Sequence, residues 1–321
     1  MQAIPSKVAG HIVSFSPSPR CGGGFFFYKL LKDRQLRKSP RKNHNYMIFN
    51  DLQQNEKNEK RGLTDAPNLS SIVYMIKTTL LTSGNQKIVK GEKLGYITKG
   101  IHLAPANLAG YEVCQWRSKG CTMACLNTAG RGQMNSVQAS RIAKTKLFFE
   151  QQFDFLAKLS KEITSTIKSS LKKEMQAVFR LNLTSDISWE FVFFNEEEPK
   201  TIFEKFPSTQ FYDYTKSFKR MCAFLNKPFT KDEQKFPSNY HLTFSRSEHN
   251  DKKCEMVLAM GGNVAVVFRN QLPKTWKGYE VVNGDDTDLR FLDKKGVVVG
   301  LIEKGMAKKD ETGFVQEGVN S

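Results

Sequence analysis

The sequence predicts an α/β fold, a TIM-like barrel of parallel strands, complete or incomplete, that follows a basic N-terminal extension. From residue 177 onward, short apolar runs alternate with helical stretches, which is typical of βαβ units. Their repeat of about 30 residues suits a barrel strand plus its crossover helix. No run of 18 apolar residues occurs, so no membrane-spanning helix is expected. A doubly wound sheet is the alternative.

Each element has a local signature. The stretch 135–173 carries apolar residues at helical spacing and predicts one long helix or two consecutive helices. Shorter helices are expected at 201–206, 217–225 and 250–260, and the segment 101–132 is expected to be loop with one short helix. The strand candidates are short apolar runs near turn formers: 72–76, 95–97, 177–183, 209–214, 240–245, 263–268, 279–282 and 296–302.

Charge is distributed unevenly along the chain. The 321 residues contain 49 Lys and Arg against 32 Asp and Glu, which gives a formal charge of +17. Residues 1–62 contain twelve Lys or Arg against four Asp or Glu, a balance of +8, so nearly half of the net charge lies there. This segment is predicted to be either an arm that binds a phosphate backbone or a disordered leader. A single α/β domain is expected over residues 63–321.

Cysteine usage indicates a reducing compartment. Six Cys in a long chain without a recognisable secretory signal predict reduced thiols or metal ligands in a soluble, cytoplasmic protein. Three of them lie within twelve residues of a Cys-rich segment, 111–132, and can converge on a soft metal: Cys114, Cys121 and Cys125. Zn²⁺ needs a fourth ligand, for which His102 or Cys21 is available, and an iron–sulfur cluster is the other choice. Plain buried thiols are the alternative.

Polar clusters follow the strand candidates. Alternation from Arg180 to Asp186 predicts that Arg180, Asn182, Thr184 and Asp186 share one face. Because the carboxyl ends of parallel strands meet at one edge of a sheet, we expect the clusters of four strands to line one mouth. The candidate residues of that mouth are Arg180, Asn182, Asp186, Trp189, Asp213, Tyr214, Lys216, Ser245, Arg246, Asp285, Asp286, Asp288 and Arg290. The alternative is that Asp and Ser only cap the following helices.

Several motifs occur in order over residues 95–315: YEVCQWRSKGC at 111–121, AGRG at 129–132, VQASR at 137–141, RLN at 180–182, TSD at 184–186, FYDYTK at 211–216, YHLTFSRS at 240–247, NVAVV at 263–267 and GDDTDLR at 284–290. Together they resemble a phage-associated family called the gene product 88 family. The resemblance implies a link to DNA 7-deazaguanine transglycosylases. These are relatives of the tRNA-guanine transglycosylases, which are TIM barrels with a structural zinc.

The chemistry of base exchange suits the predicted mouth. It needs one carboxylate that attacks the sugar and a second that manages the proton on the leaving base. We expect Asp186 and Asp213 in these roles, with Asp285, Asp286 and Asp288 as rivals. Stacking faces are expected from Trp189, Tyr212 and Tyr214, and phosphate contacts from Lys216, Arg246 and Arg290. The expected partners are DNA and a free 7-deazaguanine-type base.

Two other functions stay open on the sequence. One is an iron–sulfur, radical-SAM-like enzyme on the same barrel, although Thr128 stands where the CxxxCxxC pattern places its third Cys. The other is a non-catalytic phage protein that binds nucleic acid through its basic residues. A colourless protein with one zinc favours base exchange, whereas a brown protein with iron and sulfide favours the iron–sulfur enzyme.

Overall fold

The structure is a computed structural model that describes residues 79–83, 89–194, 199–227 and 235–318. The basic segment 1–62 and the strand candidate at 72–76 lie outside the described residues. The described strands are β1 (Leu81–Thr82), β2 (Tyr96–Ile101), β3 (Gln176–Arg180), β4 (Gln210–Thr215), β5 (Tyr240–Ser245), β6 (Val264–Arg269), β7 (Thr275–Trp276), β8 (Tyr279–Asn283), β9 (Val298–Ile302) and β10 (Gln316–Glu317). They form one sheet.

The strand order is β1-β2-β3-β4-β5-β6-β9-β8-β7, and β10 lies beside β6. β1 pairs with β2 and β7 with β8 in antiparallel fashion, whereas the other pairs are parallel. The prediction of an α/β chain with a mainly parallel sheet is therefore confirmed. β1 and β7 form the two ends of the strand order, so over the described residues the sheet is open and no closed barrel forms.

The order of the central strands also bears on the doubly wound alternative. From β2 to β6 each new strand is added on the same side of the preceding one, without reversal. Because parallel crossovers are right-handed, such an order places the crossover helices on one face of the sheet. A doubly wound sheet needs a reversal and helices on both faces, and the order from β2 to β6 has neither; the parallel connection from β8 to β9 runs back along the order.

The helices follow the predicted pattern closely. They are α1 (Lys119–Met123), α2 (Asn135–Glu150), α3 (Gln152–Leu171), α4 (Ile202–Lys205), α5 (Phe218–Phe224) and α6 (Asp251–Ala259). The predicted stretch 135–173 is two consecutive helices, because Gln151 leaves the helical region with φ −141° and ψ 58°. Side-chain caps start the short ones: Thr201 and Glu204 form a capping box at α4, and Ser217 caps α5.

The two faces of the sheet are covered differently. On one face, here called the helix face, Phe179, Phe211 and Leu242 pack in a large apolar core together with Leu156 of α3 and Met221 of α5. On the opposite face, the segment after β8 packs against the sheet. Its Leu289 forms a small cluster with Val178 of β3 and Tyr212 of β4. Alternation along each strand thus sends neighbouring residues into two different environments.

None of the helices in the described ranges combines the length and the apolar character needed to cross a bilayer.

Candidate active site at the carboxyl ends of the strands

The Cys-rich segment lies over the carboxyl ends of the central strands. The backbone N–H of Asp186, just after β3, donates to the carbonyl of Val113 over 2.8 Å. The Cys114 thiol lies 3.6 Å from the carbonyl oxygen of Thr184. Glu248, which follows β5, accepts from the Ser118 hydroxyl at 2.6 Å and from the backbone N–H of Gly120 at 2.8 Å. The structure thus brings the cysteine motif and the strand ends to the same edge of the sheet.

Gly120 is needed for this close approach. A Cβ atom added there would collide with Thr312, Phe314 and Glu248. The helix that contains Gly120, α1, begins at the Ser118 cap and is followed by Ala124, which packs in a small apolar cluster with Ala307 and Phe314. The segment is therefore held on the sheet by hydrogen bonds on one side and by packing on the other.

A buried network centred on Arg220 of α5 lies beside this edge; we call it the Arg220 network. Its guanidinium donates to both carboxylate oxygens of Glu190, at 2.6 and 2.9 Å, and to Asp186 at 2.7 Å. It also donates to the Tyr240 hydroxyl at 3.2 Å, and that hydroxyl donates to Asp213 at 2.9 Å. The two predicted carboxylates, Asp186 and Asp213, are thus joined through Arg220 and Tyr240.

The two carboxylates differ in accessibility. The Asp186 side chain is 12% exposed, and its second oxygen accepts from the backbone N–H of Lys216 at 2.8 Å. Asp213 is 0% exposed and lies on the helix face, where it also accepts from the backbone N–H of Asn182 at 2.8 Å. Burial raises the pKa of Asp213 to about 7, an effect that the nearby Arg180 opposes. Asp213 can therefore hold a proton near neutral pH but does not touch solvent.

Asn182 and Trp189 occupy structural positions rather than a binding surface. The Asn182 side chain donates to the carbonyl of Ile187 and accepts from the Ser185 hydroxyl, the Ile187 N–H and the Trp189 indole. The Trp189 ring is 0% exposed and contacts Phe148 at a centroid distance of 5.2 Å. The expectation that Trp189 offers a stacking face does not fit this position, because its ring completes the core.

A second buried polar group lies on the opposite face of the sheet. Arg180 of β3 pairs with Asp288 at 2.8 Å, and its guanidinium lies 4.8 Å from the centre of the Tyr214 ring. Arg290 pairs with Asp293 at 3.3 Å. Asp288 and Arg290 come from the segment after β8 and contact the strands on this face, whereas Asp213 lies on the helix face; the structure does not place them beside one another in a single mouth. We call this set, without Asp213, the Arg180 group.

Several buried atoms near the Arg180 group lack a hydrogen-bond partner within the described residues. They are the Tyr214 hydroxyl, the Thr243 hydroxyl and Nε2 of His241, all on β4 and β5. Burial lowers the pKa of His241 to about 4, so its imidazole is neutral at physiological pH. Tyr212, which we expected to stack on a base, is 0% exposed, with its hydroxyl 3.4 Å from Asp288.

Three further candidate residues, Lys216, Ser245 and Arg246, lie in two different parts of the structure. Lys216 donates from Nζ to the Ser245 hydroxyl at 2.8 Å, and both residues lie at the strand ends under the Cys-rich segment. Arg246 pairs with Asp251 and donates to the carbonyls of Gly313 and Phe314, so its guanidinium anchors the C-terminal part of the chain.

Two of the rival carboxylates lie elsewhere. Asp285 pairs with Lys304 at 2.7 Å and accepts from the backbone N–H of Ile302. Asp286 accepts from the side chain of Asn283 in the turn after β8. The structure does not bring either of them to the Asp186 carboxylate.

The three thiols come from one ordered segment but do not form a complete ligand set. Burial, together with the smaller effects of the nearby Asp186, Cys125 and Cys121, raises the pKa of Cys114 to about 12. Within the part of the chain that the structure describes, no three His, Cys, Asp or Glu side chains are arranged to hold a metal ion. Cys21 lies outside that part, so a metal centre on the cysteines stays a prediction.

His102, the other candidate for the fourth ligand, lies just after β2. Burial, together with the smaller effects of the neighbouring Arg141, Arg180 and Lys144, lowers its pKa to about 3. Its Nδ1 is buried without a hydrogen-bond partner in the described residues. The imidazole is therefore neutral, which is the form that a metal ligand requires.

Sequence reasoning missed the residues that organise the site. Arg220 and Glu190 are buried charges on short helical elements, and Glu248 fixes the Cys-rich segment. One signal was present: Arg220 is followed directly by the apolar run from Met221 to Phe224 in a helix of seven residues whose other charge is Lys219.

The profile of the family described as Gene product 88 matches residues 79–318. Searches of curated proteins and of solved structures gave no match.

Proposed function

The chain belongs to the phage gene product 88 family, and on this premise we propose that it is a DNA-modifying enzyme that exchanges guanine for a 7-deazaguanine-type base. The observation that supports the proposal most is the pairing of two unlike carboxylates through Arg220 and Tyr240. Asp186 is an ion-paired carboxylate at the strand ends, and Asp213 has a pKa raised to about 7. Base exchange needs a carboxylate nucleophile, and Asp186 is the one of the two that reaches solvent, whereas the buried Asp213 fixes the network that holds Asp186.

In the proposed reaction, Asp186 is the nucleophile. Its carboxylate bonds to C1′ of the deoxyribose as the bond from C1′ to guanine breaks, and guanine takes up a proton as it leaves. The incoming base gives up its own proton, attacks C1′ and releases Asp186. Guanine takes its proton from solvent and the incoming base returns one to solvent, because the buried Asp213 does not reach the substrate. The exchange therefore balances without an oxidant or a reductant.

Asp213 acts in this proposal as a positioning residue. Because it is fully buried, it fixes Tyr240, which in turn fixes the Arg220 guanidinium that holds Asp186. The Arg180 group and Lys216 supply cationic side chains on either side of the strand ends. We also propose that the open sheet is an incomplete barrel around the segment that contains Leu289, and that the enzyme acts in the cytoplasm.

Incorporation of labelled guanine tests the reaction class directly. Purified protein is incubated with DNA and isotopically labelled guanine, and the nucleosides of the DNA are then analysed by mass spectrometry. We expect label in deoxyguanosine with the natural chain and none with Asp186→Asn. Asp286→Asn is the matched control, since it makes the same change in an exposed turn and should keep full activity. No label with the natural chain, or full activity in Asp186→Asn, would overturn the proposal.

One observation favours a second candidate, an iron–sulfur enzyme. The three cysteines follow β2, the first strand of the parallel sheet, and their segment covers the carboxyl ends of the strands beside it. A metal held there would lie next to any substrate at the strand ends. Metal analysis of protein purified without oxygen separates the candidates: one zinc per chain fits base exchange with a structural metal on Cys114, Cys121 and Cys125. Iron with sulfide fits the second candidate.

A further inference from the structure

Exposed apolar side chains concentrate beside the candidate active site. Trp116 is 49% exposed, Met123 52%, Leu126 56%, Met134 54% and Met306 47%. Four of the five come from residues 116–134, and Met306 lies in the segment 304–309, which packs against the first through Ala124 and Ala307. Gly305 lies against Ala129, so the two segments form one continuous surface. We call it the mouth surface.

Basic residues accompany these apolar side chains. From Val113 to Phe149 the chain contains no Asp or Glu but six Lys or Arg. Those that are exposed on the two segments of the mouth surface are Arg117, Lys119, Arg131, Lys304, Lys308 and Lys309. Arg117 pairs with Glu112 and Lys304 with Asp285, whereas the ion pairs of the described residues include none of the other four. The surface therefore carries excess positive charge beside exposed apolar groups.

We propose that the mouth surface binds a single strand of nucleic acid and leads it to the strand ends, with bases on Trp116 and the methionines and phosphates on the lysines and arginines. Single-strand sites combine these features: a positive surface that follows the backbone and flat or soft apolar groups that contact bases. A protein partner is less well matched, because lysine is depleted in protein interfaces and four of the six exposed cations of this surface are lysines. The inference rests on the proposed function in taking nucleic acid as the substrate.

Two of the aromatic residues that the sequence analysis expected to stack on bases cannot do so, which leaves Trp116 of the mouth surface as the exposed tryptophan. Trp189 and Tyr212 are buried in the structure, so they offer no face to a base. Trp116 is the exposed tryptophan, since Trp189 is 0% and Trp276 7% exposed. The exposed tryptophan therefore belongs to the Cys-rich segment, which lies over the carboxyl ends of the strands.

Trp116 fluorescence provides a local test on the full chain. Titration with a 12-nucleotide oligo-dT strand should quench Trp116 where bases contact its ring, and the change reports on Trp116 because Trp189 and Trp276 are buried. Lys308→Gln combined with Lys309→Gln should weaken binding about tenfold at low salt, and the slope of log affinity against log salt should fall by roughly 0.7 for each phosphate that the variant no longer binds. Trp116→Ala, followed by fluorescence anisotropy of a labelled strand, should weaken binding at least fivefold. The matched control is Lys172→Gln with Lys173→Gln after α3, at the opposite edge of the sheet.

The outcomes separate this inference from the proposed function. Quenching that depends on Lys308 and Lys309, without any base exchange, supports the surface and counts against the enzyme. Base exchange with unchanged strand binding in both mouth variants overturns the surface and leaves the enzyme standing. Equal losses in the mouth and control variants would mean that binding is only a general effect of charge, which also overturns the inference.

Discussion

The two faces of the sheet both carry buried polar side chains, but the faces differ in how many of these side-chain atoms have a hydrogen-bond partner. In the Arg220 network every buried polar side-chain atom has a partner, since Arg220 serves Glu190, Asp186 and Tyr240. Around the Arg180 group on the opposite face, the hydroxyls of Tyr214 and Thr243 have no partner within the described residues. Satisfied buried networks make a structure rigid, whereas unsatisfied groups cost free energy unless water or a ligand completes them. The Arg220 network is therefore expected to be rigid, and we call such a fully hydrogen-bonded network a frame. The polar atoms around the Arg180 group can still form further hydrogen bonds.

The largest expected effect comes from removing the centre of the frame. Arg220→Met leaves the buried carboxylates of Glu190 and Asp186 without their cation, and we expect it to lower the free energy of unfolding by about 3–5 kcal/mol. Urea denaturation at pH 7.5 measures the loss. The control is Lys294→Met, which removes an exposed pair with Glu280 and should cost less than about 1 kcal/mol. A loss as small as that of the control would mean that the network is not a frame.

Some of this contrast was accessible from the sequence. The strand at 240–245 was predicted with its observed bounds, and the helix near 217–225 was found, because apolar periodicity determines both. Alternation within β4 also places Asp213 beside Phe211 and Thr215 rather than beside Tyr214, which already assigns it to the helix face. The prediction that Asp186 and Asp213 line the same mouth overlooked that consequence.

Other features depend on contacts distant in sequence. The alternation expected from Arg180 to Asp186 stops at Arg180, where β3 ends, because Asn182 turns the chain through hydrogen bonds to Ile187. The position of β9 between β6 and β8 depends on pairing across the sheet, and no local pattern distinguishes it from sequential order. Ion-pair partners such as Glu190 for Arg220 lie 30 residues apart and are likewise not encoded locally.

The second prediction compares how the stability of the natural chain and of the Asp213→Asn variant depends on pH. The pKa of Asp213 is about 7 in the folded protein, against a reference value of 3.8. Between these values the folded state binds the proton and the unfolded state does not, so this contribution to stability is lost as pH rises from about 4 to about 7. Asp213→Asn should remove that loss.

We therefore expect Asp213→Asn to gain stability relative to the natural chain, by on the order of 2–3 kcal/mol, between pH 5 and pH 8. Urea unfolding at both pH values gives the difference. The lowered pKa values of His102 and His241 affect both proteins equally and cancel in the comparison. A difference that does not change with pH would mean that Asp213 is ionised throughout and belongs to an ordinary ion pair.

The smallest expected effects come from two tyrosines on adjacent strands, which compare the faces directly. The Tyr240 hydroxyl donates to Asp213 and accepts from Arg220, so Tyr240→Phe leaves both partners short of a hydrogen bond and should cost about 1–3 kcal/mol. The Tyr214 hydroxyl is buried without a partner in the described residues, so Tyr214→Phe should change stability by less than about 1 kcal/mol and can increase it. Both free energies come from urea denaturation under the same conditions. Equal costs would contradict the contrast between the faces, because they would mean that the Tyr214 hydroxyl is already completed by ordered water. In that case the opposite face would be a second satisfied frame, and its hydrogen-bonding capacity would not be available to a substrate.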